Sequence, residues 1–203
     1  MIYLSGCKVK AHTGVAMADG VIGLLQTPQN RYSLEDVKVW AMDNGCFTES
    51  YPGDDAYLAL LDKYSEHRER CLFVAAPDKV GDAAETLRRF EPVAERIREA
   101  GYPVALVGQD GMENLDVPWR LVDWLFVGGS TDWKLGEGAR ALISQAKEQG
   151  KRVHVGRVNS RKRYNLFREL GCDSADGTFI AFGPAVNTPK VLSWVQEEQL
   201  CLK

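Results

Sequence analysis

The stretch VALVGQDG, residues 104–111, begins as an apolar run and ends in glycine, amide and carboxylate groups. Short runs that are apolar throughout are typical of buried parallel strands, which are covered on both faces. Seven further runs have the same form: IYLSG (2–6), VIGLLQTP (21–28), VWAMDNG (39–45), LFVAAPD (72–78), LFVGGS (125–130), VHVGRVNS (153–160) and SADGTF (174–179). The sequence therefore predicts eight strands.

Segments with the spacing of amphipathic helices lie between several of these runs, at 56–70, 83–101, 137–150 and 161–171. Strands that alternate with helices indicate a parallel sheet. Eight strands predict an α/β fold, a compact single-domain (β/α)8 barrel of TIM type. Because 203 residues are few for such a barrel, several helices should be short or missing, and 7–20 is interpreted as a loop. A doubly wound open sheet is the alternative.

Composition narrows the function. The net charge of −3 excludes a polycation that coats nucleic acid, so any such contact must come from a local patch. Five widely spaced cysteines without a C-x-x-C pair do not predict a structural zinc site, and neither a metal nor a cofactor is predicted. The sequence predicts no signal peptide and no membrane-spanning apolar run. We expect one catalytic domain, residues 1–203, in a cytoplasmic protein without a membrane partner; its oligomeric state is open.

Polar residues and glycines follow the predicted strands, where barrel and open-sheet enzymes both place their sites. Several carboxylates around one pocket divide into acid and nucleophile because their repulsion separates their pKa values. Glycines let a flat ligand approach the backbone, and an amide can pair with a heterocycle edge. These features fit C–N cleavage at a nucleobase. The candidates at the strand ends are Asp43, Asn44, Asp78, Asp82, Gln109, Gly128, Gly129 and Asp176.

Several of these residues also have a purely structural interpretation. Asp82 precedes a helix with Glu85 at capping-box spacing, so it is either an N-cap or a site residue. Asp173 is interpreted as an acceptor for backbone amides, and His154, which alternates with valines, as a packed residue. Phe47 and Trp133 are candidates to stack on a base, although Trp133 fits core packing nearly as well.

A basic cluster, KRVHVGRVNSRKRY (151–164), spans a predicted strand-to-helix turn. Cations at a helix start oppose the helix dipole, and a bound phosphate would compensate for them. Lys134 adds a cation from the neighbouring loop. The predicted phosphate contacts are Lys134, Arg157, Asn159, Ser160, Arg161 and Arg163.

Four motifs resemble those of the tRNA-guanine transglycosylase superfamily, in the same order and over roughly residues 39–180. DNGCFTE (43–49) resembles D-S-G-G-F, and is closest to the D-S-G-G-F-T-E form of the deoxypurine DNA-modification branch. ALVGQDG (105–111) and FVGGS (126–130) resemble the family's V-Q-G and G-G strands. HVGRVNSRKRYNLFRELGCDSADG (154–177) is similar to its late strand–helix–strand segment with G-V-D-x-x-D.

The resemblance implies a (β/α)8 barrel that breaks the N-glycosidic bond of a base in nucleic acid. By position, Asp176 matches the nucleophile and Asp43 the general acid/base, while Gln109, Gly128 and Gly129 match base contacts. The family's second base-reading aspartate falls near Asp78 or Asp82. The tRNA enzymes carry a C-terminal zinc cluster that this chain lacks, which favours DNA over tRNA, and Cys46 replaces a glycine of the first motif.

The predicted function is therefore transglycosylation of a base in DNA, with a free nucleobase as second substrate. A hydrolytic DNA glycosylase that leaves an abasic site is the first alternative. A non-catalytic nucleic-acid-binding module and an enzyme of free nucleosides are the others. The sequence does not name the base.

Overall fold

In a computed structural model of the protein, eight parallel strands close into a barrel. The structure describes residues 1–201 and the side chains of residues 1–196. Neighbouring strands pair in chain order, and β8 pairs with β1 to close the sheet. The strands are β1 (Ile2–Ser5), β2 (Ile22–Gln26), β3 (Trp40–Met42), β4 (Cys71–Ala75), β5 (Val104–Gly108), β6 (Trp124–Val127), β7 (Arg152–Val155) and β8 (Ser174–Gly177). The prediction of a compact (β/α)8 barrel is confirmed.

Helices cover the outside of the barrel unevenly. In the described part of the chain, no α-helix follows β2, and only short 3-10 turns (Met112–Asn114 and Trp119–Leu121) follow β5, as expected for so short a barrel. The prediction of a loop over 7–20 is wrong, because Lys10–Ala18 is helical and packs against the last helix. The helices are α1 (Lys10–Ala18), α2 (Asp54–Asp62), α3 (Ala83–Glu99), α4 (Thr131–Leu135), α5 (Glu137–Glu148), α6 (Arg161–Glu169) and α7 (Pro184–Cys201).

Alternate residues along each strand enter two separate cores. One set packs outward against the helices, and the other fills the barrel interior. The interior set is bulky in β4 and β6, where Phe73 and Trp124 stack with ring centroids 5.2 Å apart. The interior is therefore solid, so a site is confined to its ends. Its members are Leu4, Leu25, Ala41, Phe73, Ala75, Ala105, Val107, Trp124 and Phe126.

Gly23 on β2 gives a test of this packing. A Cβ there would lie 2.5 Å from Leu4 Cδ2 and 2.9 Å from the Val39 carbonyl oxygen, which is held because it accepts a hydrogen bond from Leu24 N. Gly23→Ala is expected to lower the free energy of unfolding by about 1–3 kcal/mol in denaturant titrations. The control is Gly14→Ala in α1, whose Cβ would meet only Lys10 Cγ at 3.6 Å. Equal stability of the two variants would contradict the packing argument.

Candidate active site

The predicted site residues gather at one end of the barrel. Asp176 lies on β8, Asp43 directly follows β3, and Gln109 directly follows β5. The carboxyl ends of parallel strands meet at one rim, so residues far apart in sequence become neighbours there. The rim therefore joins the two carboxylates that the sequence predicted as catalytic.

Asp43 is a half-buried carboxyl group in a tight turn. Its Oδ1 accepts a hydrogen bond of 2.7 Å from the backbone N–H of Gly45, whose φ of 79° suits glycine. Burial raises the pKa of Asp43 to about 7; the Gly45 hydrogen bond opposes the shift, and the charges of Asp176 and Asp78 add to it. Asp43 is thus able to hold or release a proton near neutral pH.

Asp176 points from β8 into the mouth of the barrel, with 17% of its side chain exposed. Its Oδ1 lies 3.0 Å from Nε2 of His154, and Nδ1 of that ring lies 2.8 Å from Ser174 Oγ. Both His154 and Ser174 are fully buried. Asp176 is therefore a carboxylate that faces the barrel mouth and is held from the barrel interior by a hydrogen bond.

A buried polar network forms the floor on the side of β4 and β5. Asp78 accepts hydrogen bonds from the Asn44 amide (2.9 Å) and the Gln109 amide (2.7 Å). Gln109 Oε1 in turn accepts from the backbone N–H of Gly81, at 3.0 Å. Because burial outweighs these donors, the pKa of Asp78 is raised. The three predicted base contacts Asn44, Asp78 and Gln109 are therefore brought together, although they mainly bind one another.

A contact between Arg157 and Phe47 crosses the mouth. Phe47 follows β3 and Arg157 follows β7, which lies four strands away in the closed barrel. The Arg157 guanidinium lies 4.9 Å from the centre of the Phe47 ring, which is 63% exposed, and donates hydrogen bonds to the carbonyls of Gly128 and Gly129. Arg157 has a φ of 62°, a backbone conformation that is uncommon for non-glycine residues.

Lys134 on α4 is an unusual lysine because only 6% of it is exposed. Its Nζ donates a hydrogen bond of 2.6 Å to the Gly156 carbonyl. Burial, followed by repulsion from Arg157, lowers the pKa of Lys134 to about 7, while the charge of Asp176 acts in the opposite direction. A cation or a neutral amine is thus available beside the carboxylates.

The other predicted site residues have structural contacts. Asp82 caps α3, since its Oδ1 accepts from Glu85 N at 2.9 Å, and Ser160 caps α6 through Arg163 N at 3.3 Å. Asn159 accepts from Phe179 N, and Trp133 donates its indole N–H to Glu113. The exposed Arg161 begins α6.

The glycine pair packs against protein side chains beside the site, and Asp173 has structural contacts. A Cβ on Gly128 would lie 3.3 Å from Gln109 Nε2, and one on Gly129 would lie 2.3 Å from the Trp133 ring, so both glycines are needed for close packing beside the site. Asp173 accepts from Val153 N at 2.7 Å and from Lys147, which confirms its structural role.

Sequence reasoning missed the link between His154 and Asp176. His154 is packed as predicted, against Phe73 and Phe126, yet its ring also contacts the catalytic candidate. Two signals were available: Val153 and Val155 flank the histidine and face outward, and Ser174 and Asp176 lie two residues apart on β8. Period-two alternation places all three polar side chains in the barrel interior.

The other end of the barrel also has a depression. A depression of about 1130 Å³ lies where the strands begin, among Lys38, Arg70, Trp124 and Arg152. We favour the opposite rim, because the carboxylates lie there and (β/α)8 enzymes use that end. Within the described residues, no group of three or more His, Cys, Asp or Glu side chains is placed to hold a metal.

Comparison with solved structures supports the fold. A 4-hydroxy-2-oxoglutarate/2-dehydro-3-deoxyphosphogluconate aldolase has a TM-score of 0.58 at 16% identity, over 100% of this chain and 93% of that one. Phosphoribosyl anthranilate isomerase from Thermus thermophilus has a TM-score of 0.55 at 14% identity, over 100% and 99%. A chain of the tryptophan synthase complex from Pyrococcus furiosus has a TM-score of 0.54 at 14% identity, over 96% and 95%. No protein-family model and no curated protein matches the chain.

These comparisons correct the family assignment. The similar barrels are of aldolase, isomerase and tryptophan synthase type, so the resemblance to the tRNA-guanine transglycosylase superfamily is wrong. The four motifs are short, and glycines and carboxylates recur at the strand ends of this fold whatever its function. Among the described residues, no helix is long and apolar enough to cross a membrane.

Proposed function

We propose that the protein is an enzyme that breaks the N-glycosidic bond of a nucleobase, with Asp176 as nucleophile and Asp43 as general acid/base. The observation that carries the proposal is the pairing of an anchored, mouth-facing carboxylate with a second carboxyl group whose pKa is raised to about 7. A carboxylate nucleophile together with a carboxyl group that can hold a proton near neutral pH is the arrangement used for glycosidic cleavage.

The chemistry follows from these two groups. The Asp176 carboxylate attacks the anomeric carbon, the C–N bond breaks, and its electron pair leaves on the base nitrogen, which takes the Asp43 proton. In the second step water, or a free nucleobase, attacks the anomeric carbon and releases Asp176, while Asp43 recovers a proton. Hydrolysis and base exchange share every residue of the first step. Without the family resemblance, these residues are equally compatible with base exchange and with hydrolysis.

The proposed substrate carries phosphate, and we place DNA first. Lys134, Arg157 and Arg163 line one small pocket beside the mouth, and the exposed Phe47 ring offers a surface for a base. A base in a duplex must leave the stack to reach the carboxylates. A free nucleoside or nucleotide is the competing substrate, and tRNA ranks below both.

A mass-spectrometric assay tests this function. DNA with ordinary or modified bases, and a panel of free nucleosides and nucleotides, would each be incubated with the protein, with and without added free nucleobase. Released base with an abasic site or free sugar identifies hydrolysis, and incorporation that needs the added base identifies exchange. No product from any substrate, at protein concentrations that would reveal a single turnover, would refute the proposal.

Arg157 allows a prediction about DNA binding. If it contacts a phosphate, Arg157→Ala should weaken binding and reduce the slope of log affinity against log salt by about one. The control is Lys151→Ala, a cation at the opposite end of the barrel beside the start of β7. An unchanged slope in Arg157→Ala, or an equal change in the control, would show that Arg157 does not contact a DNA phosphate. Fluorescence anisotropy at several salt concentrations provides the measurement.

A second candidate function rests on Lys134. A buried lysine whose pKa is lowered to about 7 is partly neutral at physiological pH. Such an amine can attack a carbonyl group and expel water to form an imine. Borohydride reduction in the presence of small aldehydes or ketones would trap that imine as a mass increase on Lys134. Trapping without any glycosidic activity would favour this candidate over the first.

A further inference from the structure

The interior of the barrel contains a serine, a histidine and an aspartate in hydrogen-bonded sequence. Ser174 and Asp176 project from β8, and His154 projects from β7 at the register position of Ser174. The group resembles a hydrolytic triad in its residue types. The order of burial is opposite to that of a hydrolytic triad, because Ser174 is fully buried whereas Asp176 faces the mouth. Ser174 is therefore out of reach as a nucleophile, and Asp176 is the reactive end.

The surroundings hold the imidazole in one orientation. The centroids of the Phe73 and Phe126 rings lie 4.9 and 4.4 Å from the His154 ring. Aromatic rings thus pack against the imidazole, while its two nitrogens meet the polar groups of Ser174 and Asp176. Gly156 adds to this confinement, because a Cβ there would lie 2.8 Å from the Phe126 ring and 3.3 Å from Asp176 Oδ1.

For a neutral His154 ring beside an ionised Asp176, one pattern of donors satisfies all three groups. An ionised Asp176 only accepts hydrogen bonds, so Nε2 of His154 must carry the proton in a neutral ring. Nδ1 then lacks a proton and accepts from the Ser174 hydroxyl. Burial lowers the pKa of His154, which is consistent with a neutral imidazole in this position. Asp176 therefore selects the tautomer, and the Ser174 hydroxyl donates to the nitrogen that is left without a proton.

We infer that Ser174 and His154 are positioning residues that hold the Asp176 carboxylate in its reactive orientation through the sequence Ser174 Oγ–H to Nδ1 and Nε2–H to Oδ1. This inference rests on the proposed function for its kinetic consequences. Its structural content, an Nε2–H imidazole held between Ser174 and Asp176, holds whatever reaction Asp176 performs. Because this sequence of hydrogen bonds ends on Oδ1 of Asp176, Oδ2 is left for the substrate.

Kinetics provide the first test. Ser174→Ala should lower kcat about tenfold and His154→Leu about a hundredfold, with KM within about twofold, because the loss falls on orientation rather than on binding. His154→Gln retains an N–H donor near the position of Nε2 and should recover much of the loss. A Gln variant as impaired as the Leu variant, or an unchanged kcat in Ser174→Ala, would overturn the positioning role.

The tautomer provides a test that needs no substrate. Long-range ¹H–¹⁵N NMR of the resting protein should show His154 protonated at Nε2 alone, and Ser174→Ala should keep that tautomer but shift the Nδ1 resonance, because Nδ1 loses its hydrogen-bond donor. Protonation at Nδ1 in the wild-type protein overturns the inference even if the enzyme is active. If no substrate is turned over, the proposed function fails, and the NMR result alone decides whether the hydrogen-bonded sequence from Ser174 through His154 to Asp176 is present.

Discussion

Asp176→Asn is expected to lower the rate of N-glycosidic cleavage by at least about a thousandfold, because an amide is not a nucleophile at the anomeric carbon. The substitution retains the size of the side chain, and its Oδ1 still accepts a hydrogen bond from His154 Nε2. The fold and the His154 orientation should therefore survive. Single-turnover assays with released base as the product measure the effect.

The matched control is Asp132→Asn, which removes the same charge from an exposed residue in the first turn of α4, at the same end of the barrel. It should change the rate less than about twofold, as surface substitutions usually do. Mass spectrometry of acid-quenched reactions should also reveal a sugar adduct on Asp176 in the wild-type protein and none in the variant. A variant that retains more than about a tenth of the activity would show that another group attacks the sugar.

Asp43→Asn is expected to abolish activity and to make the protein more stable at alkaline pH. The folded pKa of Asp43, about 7, is well above the ordinary value of 3.8, so folding disfavours the ionised form. This penalty is absent below about pH 4, grows as pH rises to about 7, and is constant above that. The asparagine does not ionise, and its Oδ1 can still accept from Gly45 N.

Denaturant titrations at about pH 5 and pH 8 measure the stability effect. At about pH 8 the variant should gain roughly 1–3 kcal/mol in free energy of unfolding over the wild type, with a smaller gain at about pH 5. Groups with strongly shifted pKa values, such as Asp43, are found preferentially at functional sites. If the variant gained the same free energy of unfolding over the wild type at both pH values, burial would not be the cause of the raised pKa.

The same group predicts how activity depends on pH. As general acid, Asp43 must be protonated, so kcat/KM should fall as pH rises above about 7. Lys134 loses its proton in the same range, which makes it the competing explanation. Lys134→Met separates the two: the alkaline fall should persist in that variant if Asp43 is the acid. Loss of the pH dependence in Lys134→Met would transfer the titration to the lysine.

Much of the fold was predictable because its signals are local. Each strand is an apolar run that ends in polar or small residues, and a parallel barrel covers strands on both faces, so alternation was not needed to find them. α1 was missed because KAHTGVAMA has a glycine and little amphipathic pattern. Its packing against β2 and α7 supports that helix, and such contacts leave no local trace.

The catalytic candidates were found for a similar reason. Asp43 and Asp176 each lie at the carboxyl end of a strand, and the ends of parallel strands converge whatever the register. The family assignment failed because short motifs at strand ends report the fold rather than the ancestry.

The sequence by itself determined the strand count, the barrel class and the set of polar residues at the rim. Only the tertiary structure decided that His154 contacts Asp176, that Arg157 reaches Phe47 across the mouth, and that Lys134 is buried. The physical reason is that periodicity depends on neighbours along the chain, whereas pairing and burial depend on closure of β8 on β1 and on the register between strands. A shift of one residue in that register would turn His154 away from Asp176.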